Sequence, residues 1–115
     1  MTPASRSESR DIEAQVRRGP SIAITYCTQC NWLLRAAWAA SELLQTFSTE
    51  LGGVTLIPGT GGTYEIAVDG VIVWERKRDG GFPDVKALKT RVRDLISPDR
   101  ALGHLDRAQR AEEAE

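Results

Sequence analysis

Cys27 and Cys30 stand where the chain changes periodicity. Ahead of them, Ser21-Ile22-Ala23-Ile24-Thr25-Tyr26 alternates apolar with small or polar residues, as a half-buried strand does. Behind them, from Asn31 to about Phe47, Leu33, Ala37, Ala40, Leu44 and Phe47 recur at steps of three and four, as one apolar stripe of a helix. A strand handing over to a helix across a Cys-x-x-Cys is the sequence mark of a dithiol that cycles with a disulfide. These are also the only cysteines in the 115 residues, so neither has another partner within the chain.

The spacing suits that chemistry. Two intervening residues put the sulfurs about one helical turn apart, within reach of a disulfide. At a helix start, open backbone N–H groups and the positive end of the macrodipole favour thiolate over thiol. That setting lowers a thiol pKa from its free value of about 8.5. Two blander readings stand beside it: a zinc site and a pair of inert structural thiols. A structural zinc needs four ligands, and outside the pair the chain offers only His104, far off in a polar tail. Such a site would have to be shared between two chains, so no metal and no cofactor is expected.

The charge balance narrows the function class. With 15 basic and 16 acidic residues the net charge is −1, which argues against general binding to nucleic acid or to a membrane surface. No apolar run approaches the ~20 residues of a membrane span. The start lacks the apolar core of a secretory signal, so a reducing compartment, by default the cytoplasm, is expected.

Composition divides the chain into a polar lead over 1–19, a patterned domain over 20–96, and a charged, partly helical tail over 97–115 that opens with Ser97-Pro98-Asp99. Within the domain, Gly52-Gly53 is read as the stop of the first helix and Val54–Ile57 as a second strand. Tyr64–Val68 and Val71–Arg76 flank Asp69-Gly70, a strong hairpin signal. Pro83-Asp84 opens a last helix with Val85, Leu88, Val92 and Leu95 on its buried face. The expected fold is α/β, a thioredoxin-like β-α-β-β-β-α with a four-stranded mixed sheet and two helices on one face. Ile22, Ile24, Val54, Leu56, Ile66 and Val68 make the covered face, and Ser21, Ala23, Thr25, Thr55, Glu65 and Ala67 the open one.

Linked motifs then point to a family. Ile24-Thr25-Tyr26-Cys27-x-x-Cys30, Gly62-Thr63-Tyr64-Glu65-Ile66-x-Val68-x-Gly70, the strand into Trp74, Lys77 and Arg78, and Gly81-Phe82-Pro83 together resemble the selenoprotein W-like (Rdx) group of thioredoxin-fold proteins over about residues 20–96. The tail Pro98-Asp99-x-x-Leu102-Gly103-His104 looks like bacterial members. The resemblance implies the thioredoxin-like fold and a thiol oxidoreductase role, linked to glutathione in many animal members. It also matches Cys30 to the position that holds selenocysteine in those members.

Site residues follow. Cys27 and Cys30 are the candidate catalytic pair and redox-active disulfide, flanked by Thr28, Gln29, Trp32, Gly62 and Thr63. The helix argument leans to Cys27 as the attacker, whereas the selenocysteine match points to Cys30. Gly62 and Thr63 stand nearest the place of a thioredoxin cis-proline, and Pro58 reads as a turn residue. The glycines of that loop lack the following helix of a phosphate cradle. Trp32 either walls the site or packs in the core. Trp38 is a candidate exposed contact for a partner, or lies under a terminal segment. Lys86, Lys89, Arg91 and Arg93 read as the solvated side of the last helix, and His104 as a surface histidine. The expected partners are protein or glutathione thiols and disulfides. Two functions fit: a thiol–disulfide oxidoreductase in cell redox homeostasis, or a redox-gated protein-binding module without turnover.

Overall fold

A computed structural model describes residues 19–99 and residue 102. Strand β1 (Ser21–Cys27) leads through a turn to helix α1 (Leu33–Phe47) and a single 3-10 turn (Ser48–Glu50). Strands β2 (Gly53–Gly59), β3 (Tyr64–Val68) and β4 (Val71–Glu75) follow, then a one-turn helix α2 (Arg76–Asp79) and helix α3 (Val85–Ile96). The sheet order is β2-β1-β3-β4, with β1 parallel to β2 and antiparallel to β3, and β3 antiparallel to β4. This is the expected mixed, thioredoxin-like sheet, with α1 and α3 packed on one face of it.

Local chemistry explains most of these elements. Asp69 and Gly70 both take positive φ, 47° and 83°, which is what a two-residue hairpin turn requires. Asp69 also exchanges hydrogen bonds with Ser21: its Oδ1 accepts the Ser21 N–H, and its own N–H donates to the Ser21 carbonyl, both at 2.9 Å. The hairpin turn is thereby tied to the start of β1. Asp84 caps α3 by accepting the Ala87 amide at 2.7 Å.

The core lies between Ile22, Ile24, Tyr64, Ile66 and Val68 of the sheet and the buried faces of α1 and α3. Val54 and Leu56 pack against it only half-buried, because β2 is an edge strand. On α1 the buried residues are Ala36, Ala39, Ala40, Leu43 and Phe47. Leu33 and Leu44 of the expected stripe are exposed instead. The helix carries apolar doublets (Leu33-Leu34, Ala36-Ala37, Ala39-Ala40, Leu43-Leu44), so two phases one residue apart satisfy the same periodicity. On α3 the buried face is Leu88, Lys89 and Val92; Leu95 is exposed, and Ile96 packs inward in its place.

Lys89 corrects its expected solvated place. Its stem is buried and its Nζ lies 3.0 Å from Glu42 Oε2, so the pair bridges α3 to α1. Helix α1 stops at Phe47, before Gly52-Gly53, where Ser48 takes a φ of 47°. Pro58 is not a turn residue: it stands within β2 opposite Tyr26, on an edge where a missing N–H costs no ladder bond.

Arg76, expected to end β4, instead begins α2. The Glu75 carboxylate accepts the Arg78 amide at 2.6 Å, the Asp79 carboxylate accepts the Glu75 amide at 2.9 Å, and Gly80 closes the turn at a φ of 77°. Ser97 ends α3 by donating its N–H to the Arg93 carbonyl. Leu102 is buried in the core. The lead over 1–18 and the rest of the tail, including His104, lie outside the described residues.

Candidate functional site

Cys27 is the last residue of β1, and Cys30 sits in the turn that follows. The two are joined as a disulfide with Cα atoms 5.3 Å apart. Their surroundings differ. Cys27 is 0% exposed, at the end of a central strand paired on both sides, whereas Cys30 is half-buried. The helix does not begin at the motif. Asn31 takes a φ of 61°, its N–H reaches back to the Thr28 carbonyl at 3.2 Å, and α1 starts only at Leu33. The N-cap residue Trp32 makes no side-chain cap, so among the described residues the first-turn amides of α1 have no intrahelical or capping acceptor. Cys30, three residues ahead of Leu33, is the nearer of the two cysteines in sequence.

The turn is anchored to β2. Thr28 donates both its backbone N–H, at 3.0 Å, and its hydroxyl, at 3.1 Å, to the Gly59 carbonyl. A Cβ on Gly59 would come within 2.8 Å of Thr63 Cγ2 and 3.1 Å of Thr25 Cγ2, so only glycine lets these segments close up. Thr63 thus abuts the anchor point. Gln29 is exposed in the turn. No peptide bond among the described residues is cis.

Beyond the turn, Trp32 heads an aromatic cluster. Its ring meets Phe82 edge-on at 4.9 Å and Tyr64 at 6.4 Å, and Tyr64 meets Phe82 at 5.0 Å. Of the two readings the sequence left open for Trp32, the structure shows packing against the core. The Tyr64 hydroxyl donates to the Arg35 carbonyl at 3.2 Å. Burial pushes its pKa up to about 12, with the Arg35 charge pulling the other way.

Two guanidiniums frame the cluster. Arg35 lies 4.1 Å over Phe82, and Arg76 lies 5.0 Å from the Trp32 ring. Arg76 Nε also donates to the Gly62 carbonyl at 3.1 Å, and Gly62 takes a φ of 75° in doing so. Through Arg76, Gly62 is linked to the Trp32 ring. Spacing carries no sign of Arg35, Arg76 or Gly59, because each acts across the fold. Gly81-Phe82-Pro83 stood out only as a family motif.

Leu34 and Trp38 are 81% and 42% exposed on α1. Leu34 separates a groove of about 370 Å³, lined by Tyr26, Thr28, Asn31 and Leu33, from one of about 390 Å³ lined by Arg35, Trp38 and Pro83. At the far end of β4, Arg91 lies 4.3 Å over Trp74, donates to the Val73 carbonyl, and pairs with Asp79 at 3.0 Å. No described helix is long and apolar enough to cross a membrane.

Comparison with known proteins bears on the whole domain. The model of the Rdx family matches residues 21–94. A crystal structure from Bordetella parapertussis shares 62% identity at a TM-score of 0.65, covering 66% of this chain and 96% of its own. The crystal structure of a selenoprotein W-related protein from Vibrio cholerae shares 58% identity at a TM-score of 0.67, covering 69% and 99%. No curated protein matches the chain. At that identity over almost the full length of both neighbours, and with the family model spanning β1 to α3, the chain belongs to the Rdx family as a selenoprotein W-like member.

Proposed function

We propose that the protein is a thiol–disulfide oxidoreductase in which Cys30 attacks and Cys27 resolves. The observation that carries this order is exposure: Cys27 is sealed in the end of β1, while Cys30 is half-buried in the turn. A sulfur that must meet a partner's disulfide has to be reachable along the S–S axis, and only the outer cysteine is. The uncapped start of α1 supports the same choice, since its open amides favour a nearby thiolate. The family match and the paired cysteines support redox function in general. The exchange role, the order of attack, a link to glutathione and a reducing, cytoplasmic setting are this reading's own.

In the proposed cycle the Cys30 thiolate attacks one sulfur of a substrate disulfide, the S–S bond breaks, and the first substrate thiolate leaves. Cys27 then loses its proton and attacks Cys30 in the mixed disulfide, releasing the second substrate thiolate. The protein dithiol is oxidised by two electrons and the substrate disulfide is reduced by two. An external dithiol or glutathione returns the protein to its reduced state.

Single-cysteine variants test the order. Cys27→Ser is expected to stall as a stable mixed disulfide with oxidised glutathione at Cys30, seen as a mass increase. Cys30→Ser is expected to react far more slowly under the same native conditions. The reverse pattern overturns the assignment. A redox-gated binding module is the second reading, favoured by the exposed Leu34 and Trp38 on the helix that follows the dithiol turn. Sustained consumption of substrate with a reductant present excludes it; a single stoichiometric reaction supports it.

A further inference from the structure

Arg76 and Arg35 hold positions that the exchange chemistry leaves unused. Arg76 stacks on Trp32, two residues past Cys30, and is fastened to Gly62, in the loop that follows Gly59. Arg35 stacks on Phe82, the ring next to Trp32. Two cations thus stack on neighbouring rings of one cluster whose Trp32 lies two residues past Cys30.

Neither has an ion-pair partner among the described residues. Among the described residues the ion pairs are Arg78–Asp79, Lys89–Glu42, Arg91–Asp79 and Arg93–Asp94, and none includes Arg35 or Arg76. Glu75, next to Arg76 in sequence, turns its carboxylate to the Arg78 amide instead. Ring faces and a carbonyl fix the plane of a guanidinium without cancelling its charge. Only Nε of Arg76 is engaged, so its two Nη atoms have no hydrogen-bond partner among the described residues. An oriented guanidinium with free forked donors suits a carboxylate.

We propose that Arg76, with Arg35 on the neighbouring ring, forms a clasp that selects disulfide substrates bearing a carboxylate near the reacting sulfur. The proposal rests on the exchange reading above and adds the substrate class. The carboxylate belongs either to a small thiol compound such as glutathione or to an acidic side chain flanking a cysteine in a protein. The electron bookkeeping is that of the exchange itself, since the clasp makes and breaks no covalent bond.

The test uses the reduced full chain and three small disulfides of different charge: dithiodiglycolate (anionic), hydroxyethyl disulfide (neutral) and cystamine (cationic). Each variant's rate is taken relative to wild type, which cancels the intrinsic reactivity of each disulfide. In Arg76→Gln the ratio of anionic to neutral rate is expected to fall roughly three- to tenfold, and in the Arg35→Gln double variant further still. Arg76→Lys, which keeps the charge but loses the fork, is expected to retain part of the preference. The wild-type preference should also shrink as salt is raised.

Oxidised glutathione and a peptide disulfide flanked by glutamates form two further arms. Whichever of them loses more rate in Arg76→Gln identifies the source of the carboxylate, and loss in both assigns the clasp to carboxylates in general. An unchanged ratio in the double variant overturns the clasp. So does an equal loss for all three small disulfides, which would give Arg76 a structural or thiolate-activating role. If no disulfide oxidises the wild type, the exchange reading fails and the clasp with it. If all react without charge order, the clasp alone fails.

Discussion

Replacing Gly59 with alanine tests whether the dithiol turn depends on the close approach of β2. The backbone of Gly59 lies outside the left-handed region, so alanine meets no conformational barrier there. It is expected to gain ~0.4–1 kcal/mol by stiffening the unfolded chain. Against that, its Cβ would lie 2.8 Å from Thr63 Cγ2 and 3.1 Å from Thr25 Cγ2, both inside van der Waals contact. The two methyls belong to β-branched side chains that turn at χ1 only with difficulty. Relief must come from movement of the strand end, which carries the carbonyl that accepts both Thr28 bonds. Overpacking costs about 1–3 kcal/mol, and a 2.8 Å contact with a stiff side chain belongs in the upper half of that range, so the net loss is expected at about 1–2.5 kcal/mol. For a domain of this size that lowers the melting temperature by at least ~4 °C. Urea unfolding of the oxidised protein gives the free energy directly. Adding Thr63→Ser deletes the nearest methyl and should restore a large part of the loss. An alanine variant as stable as wild type, or a loss that Thr63→Ser leaves untouched, refutes the close-approach argument.

Glu42→Ala is expected to destabilise by about 1–3 kcal/mol in urea titrations. It strands the buried Lys89 ammonium, although Glu42's 28% side-chain exposure keeps the cost below that of a fully buried pair. Lys89→Met together with Glu42→Gln should be close to neutral, since it removes the charge that needs a partner. Asp79 is held down to about 2, first by the Glu75 amide; desolvation, the next largest effect, opposes this, and Arg91 and Arg78 add to the lowering. Its contribution to stability is therefore present above the ordinary carboxylate value of about 4 and is lost as pH falls toward 2. Asp79→Asn should flatten that part of the melting-temperature profile. Tyr64 works at the other end of the scale: its pKa is raised to about 12, so stability is full below about 10 and falls as pH rises toward 12. Tyr64→Phe should remove that alkaline slope.

The parts of the fold that were legible are those dictated by neighbours in sequence. Asp69-Gly70 announces its hairpin because both residues tolerate the positive φ the turn demands. Asp84 announces the start of α3 by its side-chain cap. The phase of α1 was not legible, because its apolar doublets fit two faces equally well. Packing chose the one that lays Ala36, Ala39 and Ala40 against the sheet and leaves Leu33 and Leu44 outside. Helix α2 was missed for a related reason. Its caps are the side chains of Glu75 and Asp79, and nothing in an Arg-Lys-Arg run distinguishes one helical turn from a charged loop. Lys89 was misplaced because a lysine reads as solvated until its partner, 47 residues away, is known.

The site shows the same division at finer scale. The pair Cys27 and Cys30 was legible from spacing alone, but the lean toward Cys27 assumed that the helix opens at the motif. It does not: Asn31 enters the left-handed region and delays α1 to Leu33. That delay removes the reason for giving the first sulfur the helix field. The sheet supplies a second effect in the same direction. β1 is a central strand, paired with β2 through Cys27↔Gly59 and with β3 as far as Tyr26, so its last side chain is enclosed by neighbours. The turn then carries Cys30 out of the ladder toward solvent while Thr28 stays fastened to Gly59. Strand position therefore sets which sulfur is enclosed, and the turn sets which one a partner can reach. The start of α1 is nearer in sequence to Cys30 than to Cys27. A change that lengthened α1 back to Asn31 would move the helix field toward Cys27 without exposing it, separating the two influences that coincide here on Cys30.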